Sequence, residues 1–258
     1  MKMPMHGFLS AWSMLSRVPV RLGREPDYSQ AGFWMPIVGL GAAAAACAGA
    51  GLGLLAFGPG LMSAMCAMVP QYLGFNLFHL DGLLDSADAA GASGGVEDRR
   101  AVLKDPRIGS FALFAGFVAL SGRLGAVSSL LTGGSAAAWG ALALAPVAGR
   151  FAAALVPSMA EPYGSGGLAS ALGRPSPAFS TTGYAIAAVP GTLLFGIAYG
   201  AVGAMASILA GGLVAIAVSY ATGAWYRARL GGYSGDAMGT AVELAELAVL
   251  AIAAAIAR

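Results

Sequence analysis

Long apolar stretches recur along the chain of 258 residues and restrict its fold more than any other feature. They are long enough to cross a hydrocarbon core of about 30 Å as helices, which takes roughly 18 or more residues. A membrane barrel would instead show alternating strands of about ten residues. Charged residues make up only 10% of the chain, too few to cover a water-facing surface. We therefore predict an all-α polytopic membrane bundle that forms a single domain over 1–258. Its spans, about seven, are expected at 31–57, 61–80, 109–131, 136–157, 181–202, 204–225 and 237–257.

The N-terminal segment, 1–30, is predicted to lie on the membrane interface. Its stretch 8–20 is apolar on one side, and arginines follow at its end (Arg17, Arg21 and Arg24). A signal peptide has a similar composition, but no convincing small-residue cleavage site follows here. An amphipathic interfacial helix is therefore the better interpretation.

Basic residues fall in alternate connections between the predicted spans. They are Lys2, Arg17, Arg21, Arg24, Arg99, Arg100, Lys104, Arg107, Arg174, Arg227 and Arg229. The short connections at 58–60, 132–135 and near 203 carry none. Since Lys and Arg concentrate in cytoplasmic loops, we predict that the N-terminus lies inside and, with seven spans, the C-terminus outside.

A cluster of acids at the cytoplasmic end of the second predicted span carries the clearest chemical signal. Asp81, Asp85 and Asp88 are spaced i, i+4, i+7 and would share one helical face. Carboxylates stacked in this way repel one another, and Mg²⁺ resolves the conflict because it prefers carboxylate oxygens. The alternative is a helix end with solvated acids and no metal. His79 precedes the cluster and would orient an Asp, act as a base, or simply sit at the interface.

The segment 84–108 is predicted to be a cytoplasmic catalytic loop. It carries a dense mixture of charges, among them Arg100, Lys104, Asp105 and Arg107. Guanidinium groups match phosphate oxygens in bidentate geometry, and Lys acts as a point charge. Phosphate binding and simple anchoring of the topology are both consistent with this pattern.

A second cytoplasmic loop, 226–236, is glycine-rich and precedes the last span. Asp236 and Glu243 are seven residues apart and share a helical face. A carboxylate inside the membrane boundary, such as Glu243, needs a metal or an arginine partner. For Asp236 an ordinary helix cap is the alternative to metal binding. Arg123 and Arg150 lie within spans and are expected to pair with acids in the bundle interior.

Three segments together resemble the cobalamin (5′-phosphate) synthase family, also called adenosylcobinamide-GDP ribazoletransferases. They are His79–Asp88, Lys104–Gly109 and Gly231–Asp236, and the resemblance extends over most of the chain. The sequence departs from the usual family pattern at Leu84, Ser86, Pro106, Tyr233 and Ser234. None of these departures removes a charged group, so they affect loop geometry rather than chemistry.

The resemblance implies a reaction, a metal and a location. Adenosylcobinamide-GDP and α-ribazole, or its 5′-phosphate, would give adenosylcobalamin or its 5′-phosphate plus GMP, with Mg²⁺ as cofactor, in the bacterial inner membrane. Membrane lipid is an expected partner, nucleic acid is not, and homo-oligomerisation is left open.

On this basis we assign expected roles to individual residues. Metal binding is assigned to Asp81, Asp85 and Asp88, completed by Asp236 and by Asp105 or Glu243. Arg100, Lys104 and Arg107 would hold phosphates, and Arg150 and Asp236 are further candidates for substrate contact. Asp88 or His79 would accept the hydroxyl proton.

Two alternatives remain open at this point. A CDP-alcohol phosphotransferase carries the spacing D-G-x2-A-R-x8-G-x3-D-x3-D, but Leu84 and Asp85 occupy the positions of Ala and Arg. A transporter would use membrane acids as an ion path, often with inverted repeats. The chain has no clear repeat, and its acids collect at one face.

Overall fold

The computed structural model describes residues 4–164 and 167–257, and within them the protein is built from helices with one isolated β-bridge, Pro162 to Tyr233. In chain order the helices are α1 Pro4–Leu15, α2 Ala31–Phe57, α3 Leu61–Gln71, a π-helical turn Tyr72–Asn76, α4 Leu77–Gly91, α5 Val96–Val102, α6 Ser110–Gly133, α7 Ala136–Met159, α8 Leu168–Leu172, α9 Pro177–Ala187, α10 Val189–Leu230 and α11 Gly235–Ile256. The predicted all-α architecture is confirmed.

Six helices in the described part of the chain are long and apolar enough to cross a membrane. They are Ala31–Phe57, Leu61–Gly91, Ser110–Gly133, Ala136–Met159, Val189–Leu230 and Gly235–Ile256. Large apolar side chains on the outside of the bundle, such as Phe114, Phe117 and Val202, are more than two-thirds exposed. Such a surface suits lipid, so the prediction of a polytopic membrane bundle is confirmed.

The centre of the bundle is α7, which is buried almost throughout against α2, α10 and α11. Small residues let the backbones approach closely, as membrane helices require. A Cβ atom at Gly39 in α2 would lie 2.7 Å from the carbonyl oxygen of Pro146 in α7. Close contacts of this kind fix α7 as the axis around which the other helices pack.

The longest helix, α10, changes direction at Gly200. This residue has φ 71° and ψ −169°, a conformation that glycine adopts without the steric cost of a side chain. Chain segments before and after it lie side by side: the Tyr184 hydroxyl donates to the carbonyl oxygen of Ile208 at 2.8 Å. The two arms of this hairpin correspond to the predicted spans 181–202 and 204–225.

The N-terminal helix begins and ends earlier than the predicted stretch 8–20, and it packs against the bundle. It ends at Leu15 rather than near residue 20, and residues 16–28 have no regular secondary structure. Trp12 meets Phe75 of the π turn edge-on with ring centroids 5.5 Å apart, and the Asp27 amide donates to Ser10 Oγ at 2.9 Å. Its expected place on the membrane interface stays a prediction.

Both predicted cytoplasmic loops are largely helical. The segment 84–108 continues α4 through Gly91 and forms α5 over Val96–Val102. The segment 226–236 belongs to α10 up to Leu230 and to α11 from Gly235. The helices therefore extend beyond the apolar stretches at both segments, and the cytoplasmic placement of these segments stays a prediction.

Candidate functional site

The candidate site forms where α4 crosses α11. A Cβ atom at Gly82 would lie 2.9 Å from the Cα atom of Asp236, and one at Gly239 would lie 2.9 Å from the carbonyl oxygen of His79. The hydroxyls of Ser86 and Thr240 are 2.7 Å apart beside this crossing. The two glycines therefore bring the acidic ends of both helices together.

Four carboxylates lie at or near this crossing. Asp81, Asp88 and Asp236 all lie near enough to Asp85 to repel its charge. Asp81 is exposed, while Asp85 and Asp236 are half-buried. Asp236 accepts a hydrogen bond from the Ser234 hydroxyl at 2.9 Å, and no basic side chain of the described residues pairs with Asp81, Asp85 or Asp236. Their charges are therefore available for a cation.

A cavity of about 300 Å³ opens beside these acids. It is lined by Asp81, Leu84, Asp85, Asp88, Leu103, Lys104, Asp105, Pro106, Arg107, Ile108 and Ala112. Lys104 and Arg107 face the acids across this space and are exposed to solvent. The cavity thus combines acids that suit a metal with cations that suit a phosphate.

Asp105 is committed to its own turn. Its carboxylate accepts from the Arg107 backbone amide at 3.0 Å and pairs with the Arg107 guanidinium at 2.6 Å. These hydrogen bonds lower the pKa of Asp105 to about 2. The pair orients Arg107 at the rim of the cavity, which is a different use of Asp105 from the predicted metal ligand.

Asp88 caps the start of α6 from another helix. Its two carboxylate oxygens accept from the backbone amides of Gly109 at 2.6 Å and Ala112 at 2.9 Å. The cap position itself is Gly109, which has no side chain to satisfy these amides. A negative charge at a helix N-terminus is also favourable for the helix dipole. Asp88 therefore fixes α6 beside the cavity.

Two consecutive arginines of α5 hold the ends of two other helices. Arg99 donates to the carbonyl oxygens of Ala89 and Ala90 at the end of α4. Arg100 donates to that of Leu230, the last residue of α10, at 2.7 and 3.0 Å, and lies over the Tyr163 ring. Arg100 was predicted to bind phosphate, whereas in the structure its guanidinium is used to dock α5.

Besides Arg100 at the end of α10 and Asp236 at the helix crossing, three predicted site residues lie outside the cavity lining. Glu243 and Arg150 are buried deeper in the bundle, in a network described below. His79 is 3% exposed, and its Nε2 atom has no hydrogen-bond partner. The reason in each case is that the side chain points into the helix packing rather than toward the cavity, which the helical spacing alone did not determine.

A metal ion fits this site only with help from the substrate. Within residues 4–164 and 167–257, no three His, Cys, Asp or Glu side chains converge to hold an ion. Mg²⁺ in phosphate-handling sites is commonly bound by one or two carboxylates, waters and the phosphates of the substrate. Asp81, Asp85 and Asp236 are the carboxylates of this crossing that could supply the protein part of such a set.

Sequence reasoning used Arg99 only for the topology and not as a helix-docking residue, and it overlooked the polar residues Gln71, Tyr72 and Asn76. The last three lie inside an apolar span, and polar side chains at membrane depth need partners there. The sequence therefore contained a sign that these three side chains have partners inside the bundle. The positions that they contact, Glu243 and Glu246, are more than 160 residues away along the chain.

Comparison with known proteins points to a single family. A family model described as cobalamin-5-phosphate synthase matches residues 7–254. An adenosylcobinamide-GDP ribazoletransferase of Pseudomonas aeruginosa is 36% identical over 97% of this chain and 98% of the relative. Proteins with the same name from Pseudomonas paraeruginosa (35%; 97% and 98%) and Brevibacillus brevis (31%; 96% and 97%) are also similar. No solved structure matches.

Proposed function

The chain belongs to the cobalamin-5-phosphate synthase family and is a transferase of cobalamin synthesis, and we propose that it joins adenosylcobinamide-GDP to α-ribazole or its 5′-phosphate in a Mg²⁺-dependent reaction. A ribose hydroxyl forms a bond to the phosphorus attached to cobinamide. The bond from that phosphorus to the oxygen of GMP breaks, GMP leaves, and the hydroxyl proton is released. The products are adenosylcobalamin, or its 5′-phosphate, and GMP.

The observation that carries this proposal is the contact between Gly82 and Asp236, which brings Asp236 of α11 against the helix whose Asp81 and Asp85 line the cavity. In the proposal, Asp81, Asp85 and Asp236 hold Mg²⁺ together with phosphate oxygens of the substrate. When bound, the ion would neutralise charge on the pyrophosphate and so stabilise the leaving GMP. Asp88 keeps α6 in place and is not needed as a ligand.

Lys104 and Arg107 hold the pyrophosphate in this account. Phosphoryl transfer depends on positioning and charge neutralisation more than on covalent participation of the protein. The two cations line the same cavity as the acids, and Asp105 orients the Arg107 guanidinium. The two phosphate groups of the pyrophosphate would thus lie between the cations and the metal-binding carboxylates.

The site is proposed to face the cytoplasm of a bacterial inner membrane, with the N-terminus inside. The basic residues near the cavity support this orientation, because such residues concentrate on the cytoplasmic side. No observation favours a CDP-alcohol phosphotransferase or a transporter.

The proposal is tested with purified protein in liposomes. Adenosylcobinamide-GDP, α-ribazole 5′-phosphate and Mg²⁺ are added, and GMP and cobalamin phosphate are followed by chromatography. We expect equimolar products that disappear with EDTA and return with added Mg²⁺. Folded protein that releases no GMP under these conditions contradicts the proposal.

A further inference from the structure

A π-helical turn, Tyr72–Asn76, interrupts the helix that carries Asp81 and Asp85. A π turn accommodates one extra residue, and such turns are often found at functional sites. One extra residue rotates everything that follows by roughly 100° about the helix axis. The direction in which α4 presents its acids therefore depends on this turn.

Arg150 of the central helix α7 supports the turn from inside the bundle. Its Nη2 atom donates to the carbonyl oxygen of Phe75 at 3.1 Å and to Asn76 Oδ1 at 2.8 Å. An irregular turn within a membrane helix needs donors of this kind, because no water is present to satisfy its carbonyls. Arg150 thus fixes the π turn to the axis of the bundle.

Two buried acids of α11 hold the turn from the other side. Glu243 accepts from the Tyr72 hydroxyl and from Asn76 Nδ2, each at 2.7 Å. Glu246 accepts from Gln71 Nε2 at 2.7 Å and from Asn76 Nδ2 at 3.2 Å. The polar side chains of 71–76 therefore tie the turn directly to the helix that carries Asp236.

Two arginines balance the two acids. Arg123 of α6 donates to Glu246 at 2.7 Å and lies 3.5 Å from Glu243, and Arg150 pairs with Glu246. All four side chains are at most 2% exposed. We call the set of Gln71, Tyr72, Asn76, Arg123, Arg150, Glu243 and Glu246 the buried ion network. Every carboxylate oxygen in it receives at least one donor.

We propose that the buried ion network positions the catalytic carboxylates: it locks the π turn to α11 and so sets the rotation of α4 at the Gly82–Asp236 contact. Glu243 lies seven residues beyond Asp236, roughly 10 Å along the helix, so the network acts through the helices and not by touching substrate. Its catalytic consequence rests on the proposed function. Burying ionic groups costs desolvation free energy. In some proteins such groups specify a single arrangement of the packed helices, which is the role inferred here.

Two tyrosine hydroxyls provide a matched test. Tyr72→Phe removes one hydrogen bond from the buried ion network, and Asn76→Ala removes its central amide. Tyr184→Phe removes a hydroxyl of the same type that donates to Ile208 in the α9–α10 hairpin, away from the site. Comparable unfolding temperatures of the two Tyr→Phe variants establish that they differ in position and not in overall damage.

The orientation of α4 relative to α11 is measured by the rate at which a disulfide forms between the two helices. Ser86→Cys and Thr240→Cys are combined after Cys47 and Cys66 are replaced by Ala, because the two hydroxyls are 2.7 Å apart. Disulfide formation with iodine, followed by thiol labelling after denaturation, reports how α4 faces α11. We expect slower formation with Tyr72→Phe and Asn76→Ala and an unchanged rate with Tyr184→Phe.

Turnover is measured separately, without the introduced cysteines. Loss of one buried hydrogen bond to a charged group in the network is expected to lower kcat roughly tenfold in Tyr72→Phe, with KM values unchanged. Unchanged disulfide rates in Tyr72→Phe and Asn76→Ala, or an equal loss in Tyr184→Phe, overturn the inference. A wild-type protein that releases no GMP defeats the proposed function instead, and the disulfide rates still decide the positioning role.

Discussion

The backbone of Asp236 lies against Gly82, where a Cβ atom would come within 2.9 Å of both its Cα atom and its carbonyl oxygen. Gly82→Ala must therefore push α4 away from α11, and overpacking of this kind costs about 1–3 kcal/mol. A displacement of about 1 Å at reacting groups costs on the order of 100-fold in rate. We expect GMP release to fall by that order.

Gly125→Ala is the matched control for this substitution, since nothing lies within 4 Å of a Cβ atom there. It should keep wild-type turnover. Wild-type turnover in Gly82→Ala would show that the close helix contact is not needed to assemble the site.

The cations at the cavity should act on substrate binding. Lys104→Gln and Arg107→Gln each remove a charge that would meet the pyrophosphate, and we expect KM for adenosylcobinamide-GDP to rise roughly tenfold. The effect should weaken with added salt, because both side chains are exposed to solvent. Steady-state kinetics at two ionic strengths measure it. Arg229→Gln, another exposed cation, should leave KM unchanged; an equal rise there would indicate a general effect of charge.

Asp88 is expected to support α6 rather than the metal. Asp88→Asn keeps only one acceptor oxygen for the amides of Gly109 and Ala112, so the first turn of α6 should lose about 0.5–1 kcal/mol of stabilisation. Hydrogen exchange over 106–113 should become faster and kcat should fall. The Mg²⁺ concentration for half-maximal activity should not change. A shift in that concentration without faster exchange would assign Asp88 to the metal.

Removing one acid of the buried ion network should destabilise the whole bundle. Glu246→Gln removes the carboxylate that pairs with Arg123 and Arg150, and both guanidinium groups are buried. Breaking a buried ion pair typically costs about 3–5 kcal/mol of stability. Unfolding in a denaturing detergent measures the change. Glu97→Gln, which breaks an exposed pair with Arg100, should cost about 1 kcal/mol or less. Equal losses in the two variants would contradict the energetic difference between buried and exposed pairs.

The sequence predicts the architecture well because the apolar length of a membrane helix is a local property. It also predicts that Asp81 and Asp85 share a face, since both lie within one uninterrupted helix. It does not predict the direction of that face, which depends on the π turn and on partners such as Glu243 far along the chain. Asp88 and Arg100 show the same limit. Each side chain makes hydrogen bonds to the backbone at the end of another helix, and only the tertiary structure identifies that helix.

The most direct test of the account compares Asp81→Asn, Asp85→Asn and Asp236→Asn in the liposome assay over a range of Mg²⁺ concentrations. Loss of an outer-shell partner of a metal costs about 10–100-fold, so loss of a carboxylate that binds the ion should exceed about 100-fold. Glu25→Gln, which changes an exposed acid near the N-terminus, is the control and should behave as wild type. We expect each Asp variant to release GMP at least about 100-fold more slowly and to require more Mg²⁺. Wild-type, Mg²⁺-dependent turnover in all three would contradict the central claim that these carboxylates form the metal site.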